Sequence, residues 1–367
     1  MEAATPFQIF SCINLLKEKY KNESADLFLY TYATDLISIA ENLKKEKIFK
    51  NVYIISDIPQ KSRMSLIKYL LFPNKMISNI NIEKYEALFI SYSGIPNLLL
   101  YNLLKKENKN MSLYFYEDGV TSYYKGIFEH SKNVRIMCDL LKLKNDSENI
   151  REIFLYEPKL NTVQYNKMKL NKITPISNRN DINIVKKVFS ISNEAMNILE
   201  KSDIIYFDHD FNKYITKDIF INFNQNSIIN NITTLLKKEI TVKISPLANE
   251  KQSKYKGDLI TVSNFNKAPW EMLICGDDKI EEKCLISVCS NAVITPKTVY
   301  GKEPYVLILG KMLFLSGCTN STDVWTEELE KFYIRIRNLY HDKTKFMIPE
   351  TMDEAIKMVE NFLKKIR

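Results

Sequence analysis

Histidine (3 residues), tryptophan (2) and glycine (8) are scarce in this chain of 367 residues, and its six cysteines form no C-x-x-C pair. Cys12, Cys138, Cys275, Cys284, Cys289 and Cys318 are scattered, as are His130, His209 and His341. That spacing argues against a structural zinc site or a disulfide framework and fits a reducing, cytoplasmic setting. With 45% hydrophobic and 26% charged residues and only 11 prolines, the composition excludes disordered, collagen-like and low-complexity classes. The longest apolar stretches, Ile95–Leu104 and Tyr305–Leu315, are interrupted by polar residues and fall short of the roughly 18 residues a membrane span needs. The start, Met-Glu-Ala-Ala-Thr-Pro, has no basic segment leading into an apolar one, so no secretory signal is expected. No run of five or six like charges and no basic-aromatic stripe points to nucleic acid.

What is present is length for about two domains and a net charge of +8. That charge suits an anionic partner such as a nucleotide or an acidic lipid surface; a Lys-, Ile- and Asn-rich composition accounts for it equally well. The first half alternates short apolar runs with helical patterns. Thr5, Pro6 and Gln8 read as the N-cap, N1 and N3 of a helix with a capping box, running to about Tyr20. Strands are expected at Asp26–Tyr32, Val52–Ser56, Ala87–Tyr92 and Ser112–Tyr116, with helices at Thr34–Lys47, Gln60–Leu71 and Ile95–Lys106. Runs of this kind suit parallel strands buried on both faces. Arg151–Asn193 reads as the end of the first domain and a linker, with one helix near Asp181–Leu199. A second series follows: strands at Asp203–Phe207, Ile240–Ile244, Leu259–Ser263, Leu285–Val288 and Tyr305–Leu309, helices at Ile228–Lys238 and Pro269–Ile274, and an amphipathic helix at Met352–Ile366. The expected fold is α/β with two Rossmann-like domains facing a central cleft, residues 1–195 and 196–345, and a C-terminal helical segment, 346–367, able to pack back on the first domain.

Ligands of such sheets bind beyond the carboxyl ends of the strands, so chemistry is expected in the loops there. Glu117-Asp118-Gly119 follows one strand; the acids suit proton abstraction in a cleft and the glycine a close approach by a ligand, although Asp-Gly is also an ordinary turn. Lys243-Ile244-Ser245-Pro246 and Ser287-Val288-Cys289-Ser290-Asn291 fit helix caps, or hydroxyl and N–H groups that hold a phosphate. Asp208-His209-Asp210 fits a solvated loop, a Mg²⁺ or Mn²⁺ site on a nucleotide diphosphate, or a histidine titrating near neutrality.

Taken together, Ala4-Thr5-Pro6-Phe7-Gln8, Glu117-Asp118-Gly119, Ala268-Pro269-Trp270-Glu271, Thr295-Pro296-Lys297 and Lys302-Glu303-Pro304-Tyr305 resemble glycosyltransferase family 52, the bacterial lipooligosaccharide and capsule sialyltransferases. The resemblance implies a GT-B fold and inverting, metal-independent transfer of sialic acid from CMP-sialic acid to a hydroxyl of a surface glycan. It implies no cofactor besides that donor. On it, Asp118 is the general base with Glu117 beside it. Gly119, Lys243, Pro246, Ser290, Asn291 and Lys297 serve donor binding, with Asp118 facing Ser245 and Ser290 across one crevice. Two departures stand out. Ser245-Pro246 replaces the family's His-Pro, removing general-acid help worth roughly 10²–10⁴ in rate, and His209 is the expected substitute. Only Met1–Ala4 precedes the first helix, so a shortened central strand is expected. The partners implied are a nucleotide-sugar donor and a glycan acceptor, without nucleic acid, and with room for peripheral association at the inner face of the membrane and for a homodimer. Two alternatives remain open: a related transferase using another nucleotide sugar, and a non-catalytic nucleotide- or glycan-binding homologue.

Overall fold

The computed structural model describes residues 1–31, 36–55, 84–125, 132–140, 150–165, 168–208, 219–244, 255–262, 268–316 and 325–365. The chain divides into two compact units, Met1–Phe189 and Ser190–Arg367. The expected boundary after residue 195 would have cut a helix. The chain instead breaks between two helices, where Ser190 adopts a left-handed φ of 52° and Ser192 caps the second helix through the Ala195 N–H.

In the first unit, strands β1 (Glu2–Ala3), β2 (Leu27–Tyr30) and β3 (Val52–Ile55) form one parallel sheet in the order β1-β2-β3. Strands β4 (Ala87–Ile90), β5 (Ser112–Tyr116), β6 (Ile150–Leu155) and β7 (Lys169–Lys172) form a second, also parallel. The two are parts of one Rossmann-type arrangement: β1 lies beside β4, joined by the Glu2 carboxylate, which accepts from the Ser91 N–H just past β4 (2.6 Å). The helices are α1 (Pro6–Asn14), prolonged by a π-helical turn over Leu15–Lys19, α2 (Ile37–Lys45), α3 (Ile95–Glu107), α4 (Lys132–Leu140) and α5 (Arg179–Val188). Leu27–Tyr30 is buried along its whole length, as a strand covered on both faces must be. Phe89 stacks on Tyr114 at 4.7 Å across β4 and β5, and Ile9, Phe10 and Ile13 bury the inner face of α1.

The second unit is one six-stranded parallel sheet, β10-β9-β8-β11-β12-β13, formed by β8 (Ile204–Phe207), β9 (Ile240–Lys243), β10 (Ile260–Val262), β11 (Cys284–Ser287), β12 (Tyr305–Ile308) and β13 (Phe346–Met347). Its helices are α6 (Asn193–Lys201), α7 (Ile219–Leu236), α8 (Trp270–Leu273), α9 (Thr295–Tyr300), α10 (Gly310–Leu315), α11 (Glu327–Leu339) and α12 (Met352–Lys365). The strand order runs outward from β8 in one direction and from β11 in the other, so the topological switch lies between them.

Three expectations are corrected. Arg151–Asn193 is not a linker: it supplies β6, β7 and α5 of the first unit. Asp181–Leu199 is two helices, not one. The terminal helix α12 belongs to the second unit, where Met358, Val359 and Phe362 join Ile204, Ile228, Val242, Ile286 and Leu307 in one buried cluster. Each such burial contributes about 1.5–3 kcal/mol. The expected helix Gln60–Leu71 lies outside the described residues. Cys12, Cys138, Cys275, Cys284 and Cys289 are all free thiols. Among the described residues no helix is long and apolar enough to cross a membrane.

Candidate functional site

Polar groups gather at the carboxyl ends of β1, β4 and β5. Thr5 caps α1 as its sequence indicates, accepting from the Gln8 N–H (3.2 Å). The second half of the capping box differs: Gln8 Oε1 accepts from the Ala4 N–H (2.6 Å), one residue further out than Thr5, and its amide donates to Asp118 Oδ1. Asp118 remains accessible to solvent, whereas Glu117 and Glu2 are buried. Glu117 Oε2 accepts from the Tyr123 hydroxyl and from the Tyr156 N–H (2.9 Å). Tyr156 is fixed in turn by Asn14 (2.8 Å) and Ser11 (3.1 Å) of α1. Gly119 holds φ 131°, ψ −164°, a conformation that a residue with a Cβ rarely adopts. This backbone demand accounts for the glycine after the two acids.

Burial is the main force on all three acids. It pushes Glu117 up to about 7 against the hydrogen bonds from Tyr123 and Tyr156, with the Asp118 charge adding to the rise. It pushes Glu2 up to about 7 against the bonds from Ser91, again with a contribution from Asp118. Asp118 rises to about 6, held down by the Gln8 amide. All three shifts run in the same direction, toward the neutral carboxyl, and Asp118 is the one of the three that solvent can reach, a suitable position for a general base.

The second unit presents different chemistry at its switch point. Ser287 Oγ donates to the Phe207 carbonyl (3.1 Å) across the β8–β11 switch and accepts from the Ser290 N–H (2.9 Å), which closes the turn after β11. Ser290 Oγ accepts from the Ala292 N–H (3.3 Å), a capping role, and Asn291 is exposed at the start of the short 3₁₀ turn that follows. Lys243, at the end of β9, is buried and donates to the Ala268 carbonyl (3.1 Å); burial lowers it to about 8, opposed by the charge of Glu271. Lys297 pairs with Glu303 at 2.5 Å, just before β12 begins, so its charge is balanced at the amino end of that strand. Asp208 is buried and accepts from the Tyr255 hydroxyl (2.6 Å). Its intended companion Asp210 lies outside the described residues, as do His209, Ser245 and Pro246. No cluster of three or more metal-capable side chains occurs among the described residues.

Glu2 and Gln8 have no role at the site in the sequence reading: Gln8 appears there as a cap and as part of the opening motif, and Glu2 sits on a strand too short to show a pattern. An open concavity of about 920 Å³, lined by Lys21, Lys44, Lys47 and Lys50, occupies the opposite, amino end of β2 and β3. Lys44 lies in the last turn of α2, where a cation complements the carbonyl end of the helix.

No family model and no curated protein matches the chain. The resemblance to glycosyltransferase family 52 therefore rests on the short motifs alone. Solved structures do match. One assigned as a UDP-N-acetylglucosamine 2-epimerase from Listeria monocytogenes superposes with a TM-score of 0.55 at 11% identity, covering 99% of this chain and 87% of its own. The UDP-GlcNAc 2-epimerase from Methanocaldococcus jannaschii gives 0.49 at 10% identity, covering 98% of both. The chain has a GT-B-type fold, two Rossmann-like domains. At these identities the likeness speaks to fold only.

Proposed function

We propose that the protein is a nucleotide-sugar enzyme that transfers a glycosyl group to a sugar hydroxyl, with Asp118 as general base and CMP-sialic acid as donor. One observation carries the reading: an accessible carboxylate at a strand end, raised to about 6, oriented by Gln8 and flanked by the buried Glu117. In the proposed step the acceptor hydroxyl gives its proton to Asp118 while its oxygen attacks the anomeric carbon from the face opposite the nucleotide. The glycosidic bond breaks with its electron pair leaving on the phosphate, and configuration inverts. Within the second unit Ser287 organises the turn that carries Ser290, and Lys243 supplies a cation at the same sheet end, groups that suit a phosphate. The choice of CMP-sialic acid rests on the order of the short motifs, Thr5-Pro6-Phe7-Gln8, Glu117-Asp118-Gly119 and the Ser290 segment.

The fold likeness favours a second reading, epimerisation of a UDP-N-acetylhexosamine at carbon 2, in which a carboxylate removes a proton from carbon rather than oxygen. A thermal-shift series with CMP, CMP-sialic acid, UDP and UDP-GlcNAc, followed by product analysis, separates the two. Ligand at about 100 times its dissociation constant stabilises by roughly 2.7 kcal/mol. Transfer predicts protection by the cytidine ligands and an acceptor-dependent sialylated product. Protection by uridine ligands alone, with a C2 epimer formed in the absence of acceptor, would overturn it.

A further inference from the structure

The loop facing the general base carries an aromatic ring that the mechanism above does not use. Strands β4 and β5 are neighbours with Ile90 opposite Phe115, so Tyr92 and Asp118 leave the sheet side by side, two and three residues beyond that pair. Tyr92 is 50% exposed. A single exposed aromatic needs no explanation by itself, but the surroundings of this one are specifically built. The buried Glu2 carboxylate accepts from the Ser91 N–H (2.6 Å), the Ser91 hydroxyl (2.9 Å) and the Asn97 amide (3.0 Å). The same Asn97 amide clamps the Tyr92 carbonyl at 2.5 Å. The ring lies where a side chain at position 94 would begin: a Cβ on Gly94 would stand 2.6 Å from Tyr92 Cε1 and 2.8 Å from Cδ1. Gly94 has an ordinary φ of −68°, so the glycine serves space for the ring and not backbone freedom.

We propose that Tyr92 is the platform on which the acceptor sugar stacks its apolar C–H face, bringing one of that sugar's hydroxyls to Asp118. This inference rests on the transferase reading and gives it an acceptor class: a pyranose with one face free of axial hydroxyls. An aromatic ring offers a sugar a flat apolar surface with a polar tip at its edge, and a few polar groups then fix orientation. Here those groups are Asp118, which takes the proton, and the phenol of Tyr92. That phenol is raised above its ordinary value by burial and then by the Asp118 charge, so it stays protonated as a donor and stands within electrostatic reach of the base.

The test compares wild type with Tyr92→Phe, Tyr92→Ala and Gly94→Ala, using acceptor-varied kinetics at saturating donor and saturation-transfer NMR of methyl glycosides, which needs no turnover. Tyr92→Ala is expected to raise the acceptor KM about tenfold or more and to lose glycoside saturation transfer, with the donor KM unchanged. Tyr92→Phe, which keeps the ring and loses only the phenol donor, should raise the acceptor KM by less than Tyr92→Ala and keep glycoside saturation transfer, and Gly94→Ala should also fall between wild type and Tyr92→Ala, because its Cβ displaces the ring. An unchanged acceptor KM together with unchanged saturation transfer in Tyr92→Ala would overturn the inference, as would an absence of glycoside binding by wild type. A wild type that binds glycosides through Tyr92 yet transfers no sugar from any donor would uphold the platform and refute the transferase reading.

Discussion

At the carboxyl ends of β1, β4 and β5 in the first unit the groups withdrawn from water are acids, Glu2 and Glu117, with Asp118 beside Glu117 at the surface. At the β8–β11 switch of the second they are one acid, Asp208, held by the Tyr255 hydroxyl, the hydroxyl of Ser287 and, one strand over, the amine of Lys243. Burial raises Glu2 and Glu117 in the first unit; in the second it lowers Lys243 and raises Glu271, whose charge acts on that lysine. The difference lies in what each end can do. An acid near 6 exchanges protons at neutral pH, whereas serines and a partly charged lysine suit an anion that arrives already ionised.

This contrast breaks most sharply at Asp118. Asp118→Asn should keep its fold and its nucleotide binding and lose about 10²–10⁴ in turnover, read as product formation beside an unchanged thermal midpoint and nucleotide-induced shift. Product formed at the wild-type rate would leave the first unit without a base. The next largest effect concerns the buried pair. Glu2 and Glu117 rise from 4.5 to about 7 on folding, so the stability linked to their protonated forms is full below about 4.5 and is lost as pH climbs through about 7. Each accounts for about 3 kcal/mol over that window. Urea denaturation across the range should therefore show wild type weakening toward alkaline pH, and Glu2→Gln with Glu117→Gln flattening the curve. A wild-type curve already flat would mean the acids fold as charged groups. The smallest effect is on the other side. Lys243→Met should weaken nucleotide binding about tenfold, the value of a hydrogen bond to a charged group, while leaving the pH dependence set by Asp118 where it was. Calorimetric titration with nucleotide reads the first and the pH–rate profile the second.

How far the sequence could be read follows the same physics. Strands with four consecutive buried residues, such as Ile204–Phe207 and Ile240–Lys243, were found because burial on both faces demands a nearly continuous apolar run. Strand β7, Lys-Leu-Asn-Lys, was missed because an edge strand is paired on one side and tolerates charge along its length. Strand β6 carries Arg151 and Glu152 at its start and pairs with β5 through a register shift at Leu113 and Tyr114, which hid it inside a polar stretch. At the site, Glu117, Asp118 and Gly119 were legible as a strand-end acid pair with a glycine. The partner of Asp118 was not: Gln8 lies 110 residues away, and its local pattern fully explains it as a cap. For Lys297 the partner was equally hidden: a lysine near a helix start suits a phosphate, and its pairing with Glu303, six residues on, does not show in the local pattern.

Strand β1 is two residues long; among the described residues its ladder partner is β2, and its Glu2 carbonyl also accepts from the Tyr116 hydroxyl of β5 (2.5 Å). On its other side the connection to β4 passes through a single side-chain oxygen, Glu2 Oε1. Where most sheets of this kind are stitched by a row of amides, this one is riveted, and the rivet is an ionisable atom. The seam it closes runs directly beneath the loop that holds Tyr92. A change in protonation or size at residue 2 therefore acts directly on Ser91 and Asn97, the residues that hold the loop of Tyr92.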